Sequence, residues 1–484
     1  MPASRLRRSA FVVCGVVLAA VATFAGLIVA FQFDFGHEGP RASYAAPKSA
    51  LEAQRQDLDY FAKAMALDHA FSPAARSKAE ARIRALESSS DALPSPTLHV
   101  ELMQLMALAD NGHSRLEAAN GRTLFLPLRV THFADGFYIM RSSAAYTDML
   151  GGRVESIDGQ SVDRILARLE TLQGGVEVFR QQKAAQFMIV QDLLYGLGIS
   201  GNPNASTWTV TLPDGQVVTH PLEARPLPQG FDLPSGDRWL SPEPTEGTEH
   251  DWIAYRPRSG DVPETWRDFS SHFRLFRPPG SCAQVVRLQS IADKDGQKIS
   301  PFLTSTEAAL RASPPCAVIL DLRGDGGGDY TNTWHFSHVL PHLLAPAGRI
   351  FVLTDSGTFS AAITTAAFVK DAGRDRVTII GQPIGDRLSF FSEGLKACLP
   401  NLKVCVHYAR LKHDYGHPCT DFRECYWLNW LYPVRVTTLH PDIVVPITFA
   451  DWNAGRDAAY SAALDLARVT PGVNQSNHGL PPGR

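Results

Sequence analysis

A serine in a short turn is the first residue of this sequence that could do chemistry. Ser360 lies in "TDSGTFSAA" (354–362), between a strand-like segment, "RIFVL", and a helix-like segment, "ITTAAFVKDA". A helix that begins just after a serine presents free backbone N–H groups and a positive dipole end, which stabilise an oxyanion. Serine is also a preferred N-cap residue, so this stretch alone indicates either a nucleophile or an ordinary helix cap.

A glycine-rich loop is the second candidate. "DLRGDGGGD" continues an apolar strand, "CAVILDL", and contains Gly324, Gly326, Gly327 and Gly328. Such a loop forms half of an oxyanion hole, cradles a phosphate, or is a flexible turn. The sequence G-K-[ST] does not follow, so a nucleotide-binding P-loop is not predicted.

The third candidate is a histidine, His113, in "LADNGHSRL" just after a predicted helix. An imidazole with an ordinary pKa of ~6.5 is a suitable base for a serine hydroxyl at neutral pH. A lone histidine is more often a surface or core residue, so the assignment needs further support.

Alternating strands and helices after residue 283 predict a parallel or mixed α/β sheet. Both the glycine loop and the Ser360 turn follow strands of this sheet, where the sites of such folds form. Upstream, the sequence predicts a unit of three helices, then hairpins turning at Asp135-Gly136 and at Asp214-Gly215. Residues 226–280 are rich in Pro, Asp and Trp and are predicted to be a connector.

Five motifs, in this order, resemble those of the tail-specific, or C-terminal processing, serine peptidases. They are "DNGHSRL", "LGGRVESIDGQSVDRIL", "VILDLRGDGGG", "TDSGTFSAAITTAAFVKDAGRDRVTIIGQP" and "LHPDIVVPITFADWNAGRDAAYSAAL", and the likeness runs from about residue 50 to 467. The resemblance implies an α/β fold with a crotonase-like (ClpP/crotonase) catalytic core, an N-terminal helical unit and a PDZ-like domain. The implied division is 37–120 helical unit, 121–225 PDZ-like domain, 226–280 connector and 281–470 peptidase-like core.

The resemblance also implies roles for single residues. Ser360 matches the family nucleophile. The N–H groups of Ala361 and of a loop glycine would bind the oxyanion, with Gly326 the first choice and Gly327 the neighbouring one.

One departure from the family concerns the base. The bacterial branch uses a lysine where "GQPIGDRLSFFSEG" has Asp386, and Arg387 cannot deprotonate. The branch of the tricorn core and the interphotoreceptor retinoid-binding proteins lacks that lysine, and the tricorn type uses an upstream histidine, which matches His113. Glu393 matches a glutamate common in this branch and is the predicted orienting carboxylate, with Asp110 and Asp386 as competitors.

The N-terminus predicts a membrane anchor. Arg5, Arg7 and Arg8 precede an uncharged apolar run from about Ala10 to Phe31, close to the ~20 residues that span a bilayer. The arginines favour a cytoplasmic stub within 1–36 and a single-pass protein of the inner (cell) membrane, with its bulk facing the periplasm or cell exterior. A cleaved signal peptide is the alternative, although the run is long for one and no good cleavage site follows it.

Cysteine usage favours an oxidising compartment. Four cysteines fall close together, and the short-loop pairings are Cys398–Cys405 and Cys419–Cys425. Cys14 lies in the apolar run. Cys316 begins an apolar strand and is predicted to be a buried free thiol.

Charge and spacing exclude other classes. The net charge of −3, from 46 basic and 49 acidic residues, does not favour a nucleic-acid partner. Two histidine clusters fit no standard metal motif, so neither a metal nor another cofactor is predicted. They are His335, His338 and His342 on one helix, and Cys405, His407, His413, His417 and Cys419 in one loop. Residues 471–484 are predicted to be a disordered tail.

The sequence therefore predicts a membrane-anchored serine peptidase that acts on polypeptides. The missing lysine, with Gln382 in place of the usual glutamate, leaves a non-catalytic peptide- or lipid-binding protein on the same fold as the alternative. A disulfide-rich receptor or scaffold is a third class.

Overall fold

The computed structural model of the chain describes residues 3–36, 39–118, 123–226, 240–241, 243, 252–256, 260 and 262–469. The predicted tail, 471–484, and much of the predicted connector lie outside these residues.

The N-terminal apolar run forms one long helix, α1 (Ala3–Phe35). Its window Val13–Gln32 has a mean hydropathy of 2.5, and none of it is buried against the rest of the protein. The helix is long and apolar enough to cross a membrane, a property that an N-terminal signal sequence shares.

The predicted helical unit consists of α2 (Ala50–Ala66), α3 (Pro73–Glu87) and α4 (Ser95–Ala107). Ser72 caps α3, because its hydroxyl accepts the N–H of Ala75 at 3.2 Å, and Pro73 is the first helical residue. Both features confirm the start that the sequence predicted. Leu58, Phe61 and Leu102 fill the core between the helices.

A mainly antiparallel sheet follows, in the strand order β10-β4-β5-β7-β8, with β3 paired to β4. The two predicted hairpins are confirmed, since β3 and β4 turn at Asp135-Gly136 and β7 and β8 turn around Asp214-Gly215. The elements of this region are β1 (Arg115–Ala118), β2 (Leu124–Phe125), β3 (Leu128–Phe133), β4 (Gly136–Ser142), β5 (Arg153–Ile157), β6 (Gln160–Ser161), α5 (Val162–Leu169), α6 (Glu177–Met188), α7 (Gln191–Gly196), β7 (Ala205–Thr211), β8 (Val217–Glu223), β9 (Arg225–Pro226) and β10 (Ile253–Ala254).

The α/β core is a six-stranded sheet in the order β11-β12-β13-β14-β15-β20, parallel except for β11. Every residue of β13 is buried, as its almost entirely apolar sequence predicts for a sheet covered on both faces. The elements are β11 (Phe273–Phe276), β12 (Ala283–Leu288), α8 (Ile299–Ala312), β13 (Ala317–Asp321), α9 (Thr331–Val339), β14 (Arg349–Thr354), α10 (Ala361–Gly373), β15 (Val377–Gly381), β20 (Ile443–Val444), α12 (Phe449–Asn453) and α13 (Ala458–Val469).

The core begins earlier than the sequence indicated. β11 lies inside the predicted connector, 226–280, and pairs with β12 from Phe273 onward. Its four residues are too few to show a period, so only the pairing with β12 marks them as a strand.

Two small sheets complete the core. β16 (Ser389–Ser392) pairs with β19 (Leu411–Asp414). β17 (Lys396–Cys398) and β18 (Val404–His407) join β1 in a three-stranded sheet, and α11 (Leu428–Leu431) follows. Because β1 comes directly after the helical unit, this sheet ties that unit to the core.

Three disulfides are present, of which two confirm the predicted pairs, Cys398–Cys405 and Cys419–Cys425. The prediction of a free thiol at Cys316 is wrong, because Cys316 is bonded to Cys282. These two residues directly precede the neighbouring parallel strands β13 and β12, so their Cα atoms lie 5.5 Å apart, within the range for a disulfide. Cys14 is the free cysteine of the described residues.

The sequence separations of these bonds predict unequal stabilisation. Replacing both Cys282 and Cys316 by serine opens a link across 34 residues and should lower the free energy of unfolding by about 4 kcal/mol. The same change at Cys398 and Cys405, which are 7 residues apart, should cost about 2 kcal/mol. Urea unfolding followed by tryptophan fluorescence measures both, and equal losses would contradict the loop-length argument.

Candidate active site

Ser360 occupies a strained turn between β14 and α10. Its φ of 54° and ψ of −124° are costly for a residue with a side chain, and such strain concentrates at functional sites. Ser360 is the residue before the helix, yet its hydroxyl makes no capping hydrogen bond. The ordinary-cap interpretation of this serine therefore fails, and its half-buried hydroxyl is left for another role.

Hydrogen bonds lock the serine turn against the glycine loop. Oδ1 of Asp355 accepts the N–H groups of Gly324, Gly357 and Thr358 at 2.9–3.0 Å. The N–H of Phe359 donates to the carbonyl of Asp325 at 3.0 Å. The two loops that the sequence predicted at neighbouring strand ends are thus one rigid unit.

Gly327 makes the closest approach to the nucleophile candidate. A Cβ added at Gly327 would lie 2.7 Å from Cβ of Ser360 and 2.9 Å from the backbone nitrogen of Ala361. Its φ of 105° also favours glycine. Its N–H already donates to Oδ1 of Asp325 at 2.9 Å, whereas Gly326 faces open space.

Three side-chain contacts hold the His113 loop between the helical unit and the α/β core. Asn111 brackets the backbone of Phe391, accepting its N–H at 3.3 Å and donating to its carbonyl at 3.0 Å. Asp110 forms an ion pair with Arg387 at 2.7 Å. The hydroxyl of Ser114 donates to the buried carboxylate of Asp68 at 2.7 Å.

The His113 ring is held between two aromatic rings. It stacks on Phe359, with centroids 4.4 Å apart, and on Phe390 at 5.2 Å. Among the described residues neither ring nitrogen has a hydrogen-bond partner, and burial holds the pKa of His113 well below its usual range. Because Phe359 directly precedes Ser360, the fold brings a neutral imidazole to the serine turn from 247 positions upstream in the chain (360 less 113).

Of the three candidate carboxylates, Asp386 faces the imidazole. Its Oδ2 lies 3.8 Å from Nδ1 of His113 and has no hydrogen-bond partner among the described residues. Burial raises the pKa of Asp386 to about 7, against the opposing effects of the N–H and the charge of Arg387. Asp110, exposed, is turned to Arg387.

Glu393 lies beside a different histidine from the one predicted. Its Oε1 is 3.5 Å from Nε2 of His413, and its other contact is the hydroxyl of Ser392. The sequence prediction that Glu393 orients His113 therefore finds no direct contact, because the β16–β19 pairing places His413 opposite Phe390.

The sequence analysis missed the support that His413 gives to the site. His413 stacks on Phe390 at 5.1 Å, and its Nδ1 lies 3.1 Å from the hydroxyl of Tyr415. That hydroxyl in turn lies 2.6 Å from Oγ1 of Thr364, one turn into α10 after Ser360. The alternation of "LKHDY" against "SFFS" is the signal that could have shown His413 facing Phe390 across a strand pair.

The alternative metal clusters do not assemble. Cys405 and Cys419 belong to separate disulfides, so neither offers a thiolate. On α9, His335 lies 3.3 Å from Glu307, and Nδ1 of His338 bonds to the carbonyl of Trp334. In the described parts of the chain no group of three or more His, Cys, Asp or Glu residues is arranged to hold a metal.

A groove leads to the serine turn from the antiparallel sheet. A cavity of about 240 Å³ lies between β3, α6 and the turn, lined by Thr131, His132, Gln182, Asp355 and Ser356, among others. β3 pairs with β4, and α6 packs beside it.

Comparisons with known proteins show which solved structures have a similar fold. No family model and no curated protein matches the sequence. The chain is similar to mature CPAF complexed with lactacystin, with a TM-score of 0.56 and 14% identity over 87% of this chain and 98% of that one. A structure of mature CPAF alone gives a TM-score of 0.54 and 14% identity over 86% and 96%. The photosystem II D1 C-terminal processing protease aligns over 84% and 98% at 11% identity, with a TM-score of 0.37, too low for a detailed comparison.

At these identities the likeness concerns the fold, which spans nearly the whole of CPAF and most of this chain. The α/β architecture that the motifs implied is thus supported by structures as well as by sequence. The chain therefore shares the fold of mature CPAF.

Proposed function

We propose that this protein is a serine peptidase of the tail-specific type, with Ser360 as nucleophile and His113 as base. One observation carries the proposal: a strained serine that does not cap its helix adjoins a phenylalanine, Phe359, on which a buried neutral imidazole stacks. A neutral imidazole accepts a proton, and a helix N-terminus stabilises the charge that forms on the substrate.

In the proposed reaction Oγ of Ser360 attacks the carbonyl carbon of a peptide bond while His113 takes its proton. The carbonyl oxygen becomes an oxyanion, for which the N–H groups of Ala361 and Gly326 are the proposed donors. Ala361 is the first residue of α10, so its N–H has no acceptor within the helix. The C–N bond then breaks as His113 gives the proton to the leaving amine, and water hydrolyses the acyl-enzyme by the same steps.

Asp386 is the proposed orienting carboxylate, in place of Glu393. It is the carboxyl group that lies beside His113, and the ion pair of Asp110 with the adjacent Arg387 fixes this approach. The gap of 3.8 Å between the two side chains exceeds a hydrogen bond, and such contacts often tighten only when substrate binds.

The substrate is proposed to be a polypeptide that enters beside β3. In this proposal the region 121–225 acts as a PDZ-like domain, and an extended peptide follows the groove between β3 and α6 to Asp355 and Ser356, at the serine turn. The lining of the groove combines amide side chains, such as Gln182 and Gln186, with apolar ones, such as Val178 and Ile447.

The proposed location is outside the cytoplasm, with α1 as a membrane anchor. An exposed apolar helix fits a bilayer, and three disulfides suit an oxidising compartment.

A non-catalytic binding protein on the same fold is the second candidate. The observation that favours it is that neither nitrogen of His113 has a hydrogen-bond partner among the described residues, so the triad is not assembled in this state. The two candidates differ in whether Ser360 reacts with an acylating or phosphonylating reagent.

A serine-reactive phosphonate should label Ser360 in the full chain, because an activated hydroxyl attacks phosphorus as it attacks a carbonyl. Peptide mapping by mass spectrometry locates the label, and lactacystin, which is bound in a structure of CPAF, serves as a competitor. Ser360→Ala should abolish both labelling and peptide cleavage. Ser305→Ala, which removes an exposed hydroxyl on α8, is the control and should still be labelled. An unlabelled Ser360 with intact binding of peptide would favour the binding protein.

The two carboxylates can be separated by isosteric variants. Asp386→Asn should lower kcat/KM by about 10²- to 10⁴-fold, because the imidazole loses the group that orients it and stabilises its charged form. Glu393→Gln, which alters a contact of His413, should cost less than about tenfold. Steady-state cleavage of a fluorogenic peptide measures both, and the reverse order would restore Glu393 as the orienting residue.

Two neighbouring glycines of the loop, Gly326 and Gly327, provide a matched pair of variants. Gly327→Ala places a methyl group 2.7 Å from Cβ of Ser360 at a positive φ, and should lower the free energy of unfolding by about 1–3 kcal/mol and slow phosphonate labelling. Gly326→Ala adds a methyl group that meets nothing within 4 Å, and its unfolding should change by less than about 0.5 kcal/mol. Equal effects from the two would contradict the close packing of Gly327 on Ser360.

A further inference from the structure

Asp325 links the two loops on either side of the proposed oxyanion. Its backbone carbonyl accepts the N–H of Phe359, and its Oδ1 accepts the N–H of Gly327 at 2.9 Å. The residue is completely buried, and its Oδ2 has no hydrogen-bond partner among the described residues. The same side chain therefore fixes the glycine that packs on Ser360 while leaving one of its own oxygens unsolvated.

The surroundings of Asp325 disfavour a negative charge. Burial is the largest effect, and the carboxylate of Asp355, from the serine turn, adds repulsion. Two effects act in the other direction: the N–H of Gly327 and the charge of Lys294, which comes from the loop before α8. The balance raises the pKa of Asp325 well above its usual range.

We propose that Asp325 is a positioning residue of the oxyanion site, which holds the glycine loop against Ser360 only while its carboxyl group is uncharged. The proposal deepens the proposed function and rests on it. It assigns a role to a buried acid that takes no part in the proton transfers between Ser360, His113 and the leaving amine.

The physical reason lies in what ionisation would demand. A buried carboxylate oxygen without a partner must be hydrated or must recruit a new donor, and either requires the glycine loop to leave its place beside Ser360. A negative charge at the base of that loop would also repel the forming oxyanion. Both effects act on the transition state, so kcat should fall while KM changes little.

The raised pKa of Asp325 sets the direction in which kcat and folding stability change with pH. The active form is protonated, so kcat should fall as pH rises through the folded-state pKa of Asp325, by about tenfold per pH unit for one ionisation. Folding stability is linked to the same proton. The unfolded carboxyl ionises near pH ~3.9, and above that pH the parent loses stability relative to an uncharged variant, until the folded-state pKa is reached.

The test compares Asp325→Asn, Asp325→Ala and the parent as full-length proteins in detergent micelles. The asparagine keeps the shape and an oxygen for Gly327 but cannot ionise, so its kcat should lack the alkaline fall of the parent and should recover most of what alanine loses. Asp329→Asn is the matched control, since the carboxylate of this exposed acid in the same loop accepts the N–H and the hydroxyl of Thr331, and its pH profile should follow the parent.

Unfolding supplies a readout that needs no catalysis. The ratio of the unfolding constants of the parent and Asp325→Asn should grow by about tenfold per pH unit above pH ~4. A constant ratio between pH 4 and 8 would overturn the proposal, and so would an alkaline fall in kcat that Asp325→Asn retains. Cleavage by Ser360→Ala at the rate of the parent would instead refute the proposed function, a result that the unfolding measurement does not depend on.

Discussion

The stacking of His113 on Phe359 is the contact on which the proposed chemistry depends. It joins the end of the helical unit to the serine turn of the α/β core, two regions far apart in the chain. Stacking between two rings fixes the plane of the imidazole, but it donates no hydrogen bond to either nitrogen. The fold thus places the proposed base without occupying the lone pair that would take the proton.

The rest of the site serves to keep those two regions together. Asn111 ties the histidine loop to β16, and Asp110 ties it to Arg387, next to Asp386. On the other side, Asp355 and Asp325 tie the serine turn to the glycine loop. Asp110, Ser360 and Glu393 all have positive φ, so the backbone is strained on several of the segments that converge here. Such strain persists only because these ties over-determine the loops.

The sequence identified candidate residues more readily than their pairing. Ser360 and the glycine loop could be named because local patterns of strand, turn and helix mark them, whereas His113 was named only through the resemblance to the peptidase family. The sequence could not show which carboxylate lies beside His113, because the positions of Asp386 and Glu393 depend on the pairing of β16 with β19. The Cys282–Cys316 disulfide could not be predicted for a similar reason, because the order of strands in the whole sheet decides which strands are neighbours. Short disulfides such as Cys419–Cys425 need no such knowledge.

Burial also sets the charge states of the ionisable side chains at the candidate site. At pH values above about 7, Asp386 is a buried anion and His113 is neutral, so in the proposed reaction the imidazole offers Asp386 no positive charge until it takes the proton of Ser360. In the proposed reaction the attraction between Asp386 and the new imidazolium arises only as the proton moves, and it would stabilise the transition state more than the resting enzyme. Asp325, by contrast, has no group that becomes cationic beside it during the proposed reaction. The proposed positioning role of Asp325 therefore requires its uncharged form, whereas the proposed orienting role of Asp386 requires its charged form.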